Sequence, residues 1–154
     1  MTSSYETIGR PVGRAEGPAK VTGQAIFPAD VNLPGTLVGK CLRSPFPYAK
    51  IVSIDPDSVT AARQVLGVHA VLTADDIPPH LVGRMIRDMP ILARDVVRFA
   101  GQKVVAVAAE DDDIAEEALN LVQVEYEELE PILDPSDSIK PGAPVIHPNF
   151  ANYV

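Results

Sequence analysis

Leu42–Asp55 reads LRSPFPYAKIVSID, and its reading decides the fold. An apolar run ends on Arg43. Pro45 and Pro47 then hold a rigid turn, and Ala49–Ile54 returns with Ile51, Val52 and Ile54 apolar, as a half-buried strand does. Strand, proline corner and strand form a structural hinge point, not a reaction centre. No complete catalytic constellation appears anywhere in the 154 residues.

Outward from the corner, Thr36–Leu42 is expected as the first strand. Downstream, Asp55-Pro56-Asp57 makes a turn and a helix start, with Asp57 or Ser58 as the expected cap, because a short side-chain oxygen accepts from free first-turn amides. Val59, Ala62, Val65 and Leu66 follow at helical spacing, and Gly67 is placed to close that helix. Val68–Leu72 is expected as a strand. His80–Arg94, broken by Pro90, is expected as a long loop. Val96–Phe99 and Lys103–Ala109 are expected strands around Gly101, the second continuously apolar as in a central strand covered on both faces. Asp113-Ile114-Ala115-Glu116 resembles a capping box opening a second helix, and Gln123–Glu128 alternates as a last strand.

The termini read differently. Residues 1–35 are interrupted by four prolines and read as an extended arm in which Ala25-Ile26-Phe27 could pair as a strand. Residues 131–154 carry five more prolines and read as an irregular tail. The expectation is one α+β domain over residues 1–154: a mixed β-sheet with two main helices in a core of 36–130, between proline-rich arms. A chain of this length buries roughly 70% of its unfolded surface, enough for a core. Aromatics are only 5% and tryptophan is absent, so Val, Ile, Leu and Ala must fill that core. Fifteen prolines, about twice the usual ~5% share, demand short elements and rigid connectors.

Composition excludes several functions. A net charge of −8 with dispersed basic residues argues against nucleic acid, whose phosphates require clustered Lys and Arg. One cysteine, Cys41, permits no internal disulfide and fits a reduced, cytoplasmic protein. No run of about 18 apolar residues and no apolar signal core points to a membrane or to export. His69, His80 and His147 lack metal-ligand spacing. The acidic run Glu110–Asp113 lacks the alternating ligands of a calcium loop and reads as a helix start. Gly9–Gly17 forms no phosphate-binding fingerprint, and Ser44 and Ser53 have no histidine partner.

The order of the remaining motifs is specific. Gly13-Arg14, Glu16-Gly17, Lys20-Val21-Thr22-Gly23, Ala25, Phe27, Asp30 and Leu33-Pro34-Gly35 precede Arg43-Ser44-Pro45 with Ala49 and Ile51. VRFAGQKVVAVAAE, ALNLVQVEYEELEPILDP and PGAPVIHPNFANYV follow. This succession resembles the start of the large, molybdopterin-binding subunit of the xanthine dehydrogenase and aldehyde oxidase family. The resemblance implies the a/b hammerhead domain of a molybdenum hydroxylase. Such enzymes oxidise aldehydes, N-heterocycles or carbon monoxide with molybdopterin, [2Fe-2S] clusters and commonly FAD. The family's cofactor motifs and catalytic glutamate lie in domains that would begin after Val154. The resemblance therefore implies no catalytic, cofactor-binding or metal-binding residue in this chain.

The expected role is a non-catalytic module docking onto a molybdopterin-binding chain and an iron–sulfur subunit. The alternative is an independent protein-interaction or small-ligand-binding module reusing the fold. Expected contacts are polar or rigid groups on loops: Arg10, Arg14 and Lys20 of the arm; Arg43, Ser44, Pro45 and Tyr48 of the corner; and Arg98 with Gln102.

Overall fold

A computed structural model of the chain describes Gly9 and residues 11–145. Two compact units divide it, Met1–Thr36 and Leu37–Val154. In the first, a five-residue helix α1 (Gly17–Val21) interrupts the arm that was expected to be extended. The cause is Pro18, whose fixed φ and missing N–H suit a first turn. Thr22 closes it by donating its hydroxyl to the Pro18 carbonyl at 2.8 Å. Ala25–Phe27 forms no strand. Instead a single 3₁₀ turn, Pro28–Asp30, follows it, with the Asp30 carboxylate accepting from the Phe27 amide at 2.8 Å.

The second unit holds strands β1 (Val38–Arg43), β2 (Ala49–Ile54), β3 (Val68–Leu72), β4 (Leu81–Val82), β5 (Met89–Pro90), β6 (Val96–Val97), β7 (Lys103–Ala109) and β8 (Val124–Glu128), with helices α2 (Pro56–Arg63) and α3 (Asp112–Leu121). The α+β class holds, and the two main helices lie in the expected segments, but α2 ends at Arg63 with Gln64 as its cap, so it stops short of Val65 and Leu66 and Gly67 does not close it. The single mixed sheet is corrected: the described strands form two three-stranded sheets, β1-β7-β3 and β6-β2-β8, plus a β4-β5 ribbon, and every pair is antiparallel. Apolar content alone does not distinguish one wide sheet from two that share a core.

β7 is the hub. Val104, Val105, Val107 and Ala109 are all buried, so successive side chains are covered on both faces. One apolar cluster joins them to Ala49, Ile51 and Val97 of the other sheet and to Val59, Ala62, Ala115, Ala118 and Leu119 of the helices. α3 packs on β1, β7 and β3, and α2 packs on α3 and β3. Small alanines on the inward faces let helices and strands approach closely, which replaces the missing aromatic bulk.

The helix caps differ in detail from the expected ones. Asp55, not Asp57 or Ser58, caps α2 by accepting from the amides of Asp57 and Ser58, and Pro56 takes the first helical position. This frees Ser58 for another bond: its hydroxyl donates to the Asp55 carbonyl at 2.6 Å and accepts from the Gln123 amide at 3.0 Å. The start of α2 is thereby tied to the start of β8. Asp111 caps α3 through the Ile114 amide at 2.8 Å, two residues before the expected position. The expected loop His80–Arg94 contains the β4-β5 ribbon. Its turn depends on Gly83, where an added Cβ would stand 1.7 Å from the Ile86 carbonyl oxygen.

Gly67 takes φ +89°, and a Cβ there would meet the Ile114 Cδ1 at 2.7 Å. Gly67→Ala should therefore cost about 1–2 kcal/mol in a urea melt. Adding Ile114→Val should recover only the contact part of that loss, because the left-handed backbone remains; full recovery would show that φ carries no strain.

A candidate docking corner

The corner between β1 and β2 is locked to the turn between β6 and β7. Gly101 takes φ +90°, a conformation that glycine adopts without steric cost, and the Gln102 amide closes the turn on the Phe99 carbonyl at 3.2 Å. Two backbone bonds cross from turn to corner. The Gly101 amide donates to the Ser44 carbonyl at 2.8 Å, and the Ser44 amide donates to the Gln102 carbonyl at 2.8 Å. A bulge between Leu42 and Arg43 ends the β1–β7 register there, and the Arg43 guanidinium donates to the Gly101 carbonyl at 2.9 Å.

Side chains complete the lock. The Ser44 hydroxyl both donates to the Phe46 carbonyl and accepts from the Phe46 amide, each at 3.0 Å. The Gln102 side-chain oxygen accepts from the Arg98 amide at 2.6 Å. Phe46 packs on Tyr126 of β8, with ring centroids 5.3 Å apart and planes tilted by 59°. Burial of Tyr126 raises the pKa of its phenol.

The expected contact residues divide on this geometry. Arg43, Ser44, Pro45, Tyr48, Arg98 and Gln102 come together at the locked corner. Ser44 and Gln102 are only 3% exposed, so their side chains shape the corner from inside. Arg43, Pro45 and Arg98 are exposed, and Tyr48 is half-buried. Among the described residues neither Arg43 nor Arg98 forms an ion pair; the Arg98 guanidinium reaches only the Val96 carbonyl at 3.3 Å. Arg14 and Lys20 belong to the N-terminal unit, where both approach Glu16, at 2.9 and 3.5 Å. Backbone and side-chain hydrogen bonds, with Arg14 as the side-chain donor, lower the Glu16 pKa. Arg10 lies outside the described residues.

Beside the corner the sequence left a feature unread. A groove of about 290 Å³ runs between Pro47 and Tyr48, the turn residues Arg98–Ala100, and the tail residues Pro131–Leu133 with Val145. The tail supplies one wall by folding back, which its proline content did not foretell. The Leu129 amide, donating to the Tyr48 carbonyl at 3.1 Å, starts that return.

A larger polar cleft of about 560 Å³ lies between β2, α2 and the 3₁₀ turn Ala74–Asp76. Its cations are engaged internally. Arg63 donates to the Val71 carbonyl at 3.0 Å and pairs with Asp76, while Arg94 pairs with Asp75 and donates to the Ala74 carbonyl. The Asp76 carboxylate accepts from the Thr73 amide at 2.8 Å, which holds its pKa below the ordinary value against the opposing effect of burial, with lesser help from the Thr73 hydroxyl and the Arg63 charge. Among the described residues no group of three or more His, Cys, Asp or Glu side chains could hold a metal ion, and no helix is long and apolar enough to cross a membrane.

Two measurements check these local assignments. Gln102→Ala leaves the Arg98 amide without its acceptor, so it should cost about 1–3 kcal/mol and speed hydrogen exchange at that amide; unchanged exchange would show that the contact is not formed. Asp76, with its lowered pKa, stabilises the fold above the ordinary carboxylate range, and that contribution is lost as pH falls through its folded-state pKa. Asp76→Asn should therefore be less stable than the parent at pH 7, and the gap should close below about pH 4.

Three comparisons bear on what such a corner belongs to. Residues 22–130 match the family model for the aldehyde oxidase and xanthine dehydrogenase a/b hammerhead domain. A probable xanthine dehydrogenase subunit of Bacillus subtilis is 44% identical over 135 residues, covering 87% of this chain and 18% of that protein. The nicotinate dehydrogenase large molybdopterin subunit of Eubacterium barkeri is 37% identical over 148 residues, 96% of this chain and 34% of that one. Among solved structures, a Cu,Mo-CO dehydrogenase superposes with a TM-score of 0.79 at 35% identity, over 95% of this chain and 18% of that one. The quinoline 2-oxidoreductase of Pseudomonas putida 86 superposes with a TM-score of 0.70 at 38% identity, over 82% of this chain and 17% of that one. The chain thus spans less than two thirds of the length of each.

Proposed function

The chain belongs to the aldehyde oxidase and xanthine dehydrogenase family through its a/b hammerhead domain, and from that premise we propose that it is the non-catalytic docking module of a molybdenum hydroxylase-type oxidoreductase. The observation that carries the reading is the family match: residues 22–130 fit the hammerhead domain, and the fold superposes on a Cu,Mo-CO dehydrogenase over 95% of this chain.

The donor set of this chain agrees. A [2Fe-2S] cluster is held by four cysteine thiolates, and the sequence has one cysteine. Among the described residues no glycine-rich turn joins a strand to a helix N-terminus to cradle the phosphate of a pterin cofactor. The residues present do not fit these groups, so molybdopterin, the iron–sulfur clusters and any FAD would be held by other parts of the assembled enzyme. In this reading the partners are a molybdopterin-binding chain or domain and an iron–sulfur subunit, in the cytoplasm. Neither nucleic acid nor a membrane takes part. The whole of residues 1–154 acts as one hammerhead domain with its arms. The exposed corner residues Arg43, Pro45, Tyr48 and Arg98 face the partner, Ser44 and Gln102 hold them in place, and Arg10, Arg14 and Lys20 add contacts from the arm.

The corner suits such a role because its backbone is cross-braced before any partner arrives, so little conformational freedom remains to be lost on binding. The purified 154-residue chain should contain no molybdenum and should reduce no dye with aldehyde or N-heterocycle substrates. The tagged chain recovered from its native host should carry a molybdenum-containing chain with it. Metal or turnover in the isolated chain, or recovery with no molybdenum, would overturn the reading.

A further inference from the structure

The groove beside the corner concentrates apolar surface that the fold leaves in water. Phe99 is 46% exposed, Leu133 81% and Val145 73%. Contiguous apolar patches of this kind mark interaction sites more often than scattered single residues do. The walls are well braced. Tyr48 and Phe99 sit on the hydrogen-bonded corner and turn, and Pro131 stiffens the returning tail.

Charge identifies what would fill it. Arg98 stands on the groove wall with its guanidinium reaching only a carbonyl, and neighbouring Arg43 likewise forms no ion pair, whereas Arg14, Arg63 and Arg94, which do not line the groove, pair with carboxylates. In a chain of net charge −8, an arginine left without a carboxylate beside an apolar slot is complementary to an incoming acid. The same net charge disfavours a second copy of this chain as the occupant, because two such copies repel.

We propose that the groove receives a segment of the partner chain that inserts one bulky apolar side chain between Tyr48, Phe99 and Leu133 and pairs a carboxylate with Arg98. The proposal rests on the docking reading above and adds to it the chemistry of the partner's contact. The apolar side chain supplies most of the affinity, as a buried anchor in a pocket does, and the carboxylate sets its register. Glu130 on the opposite wall would repel that carboxylate if the segment entered reversed, so the two charged walls select one orientation.

The test uses the tagged full-length chain recovered from its native host, with molybdenum measured per mole of captured chain. Arg98→Glu and Leu133→Asp each change an exposed side chain and should leave the urea midpoint unchanged. Each should lower co-purified molybdenum by about tenfold or more, whereas Arg98→Lys should keep most of it. Raising salt should release the partner from the parent chain more steeply than from Arg98→Ala. Equal molybdenum in parent and both variants would overturn the groove assignment while leaving docking intact. No molybdenum with the parent chain would overturn both. A concentration-dependent dimer in sedimentation that Arg98→Glu dissolves would give the groove to a second copy and overturn the proposal.

Discussion

Two backbone hydrogen bonds, from the Ser44 amide to the Gln102 carbonyl and from the Gly101 amide to the Ser44 carbonyl, hold the unit of Leu37–Val154 together at its most constrained point. They fasten the connection between β1 and β2 to the connection between β6 and β7. Each of those connections leads from one sheet to the other: β1 and β7 belong to one, β2 and β6 to the second. Fastening them fixes the two sheets at a common edge, so that Ala49 and Val97 can enter the same core as Val104 and Val105. The buried Gln102 side chain adds a third fixed point by accepting from the Arg98 amide. Without this bracing the two sheets would depend more heavily on non-directional apolar contacts, which set distance better than they set orientation.

Much of this was legible in the sequence. The continuous apolar run of β7 announced a central strand, and the acidic starts of α2 and α3 announced helices where they occur. The proline corner was visible because Pro45 and Pro47 exclude regular pairing. What stayed hidden depended on partners distant in sequence. Ser58 was read as a cap, but the Gln123 amide, 65 residues away, engages its hydroxyl while Asp55 does the capping. Ser44 and Gln102 read as surface polar groups because their burial comes from each other's backbone. The division into two sheets was equally invisible, since antiparallel pairing between β1 and β7 joins residues 60 to 71 positions apart. In the arm the error was of another kind: prolines were read as breaks, although one at the first turn of α1 favours the helix.

The candidate site follows the same pattern. Sequence order supplied the cast at the corner, and the structure sorted it into residues that brace and residues that face outward. The groove had no sequence signal, because Phe99 was counted with a strand and Leu133 and Val145 with an irregular tail. Only the return of the chain along the corner places them on one surface. Its acidic surroundings matter as much as its shape. At the corner and groove, Arg43 and Arg98 stand without a carboxylate, and such unmatched cations carry the information about a partner.

The position of β7 in the sheet order has a consequence for how the chain is made. β1 and β3 both pair with β7 and not with each other, yet both leave the ribosome well before it. Until Ala109 has emerged, each is a strand without a neighbour, with open backbone donors and acceptors and an apolar face toward water. Such edges are templates for unwanted pairing between nascent chains. The stretch between Leu72 and Lys103 thus sets a delay during synthesis, and the domain depends on protection during that interval more than its modest size would suggest.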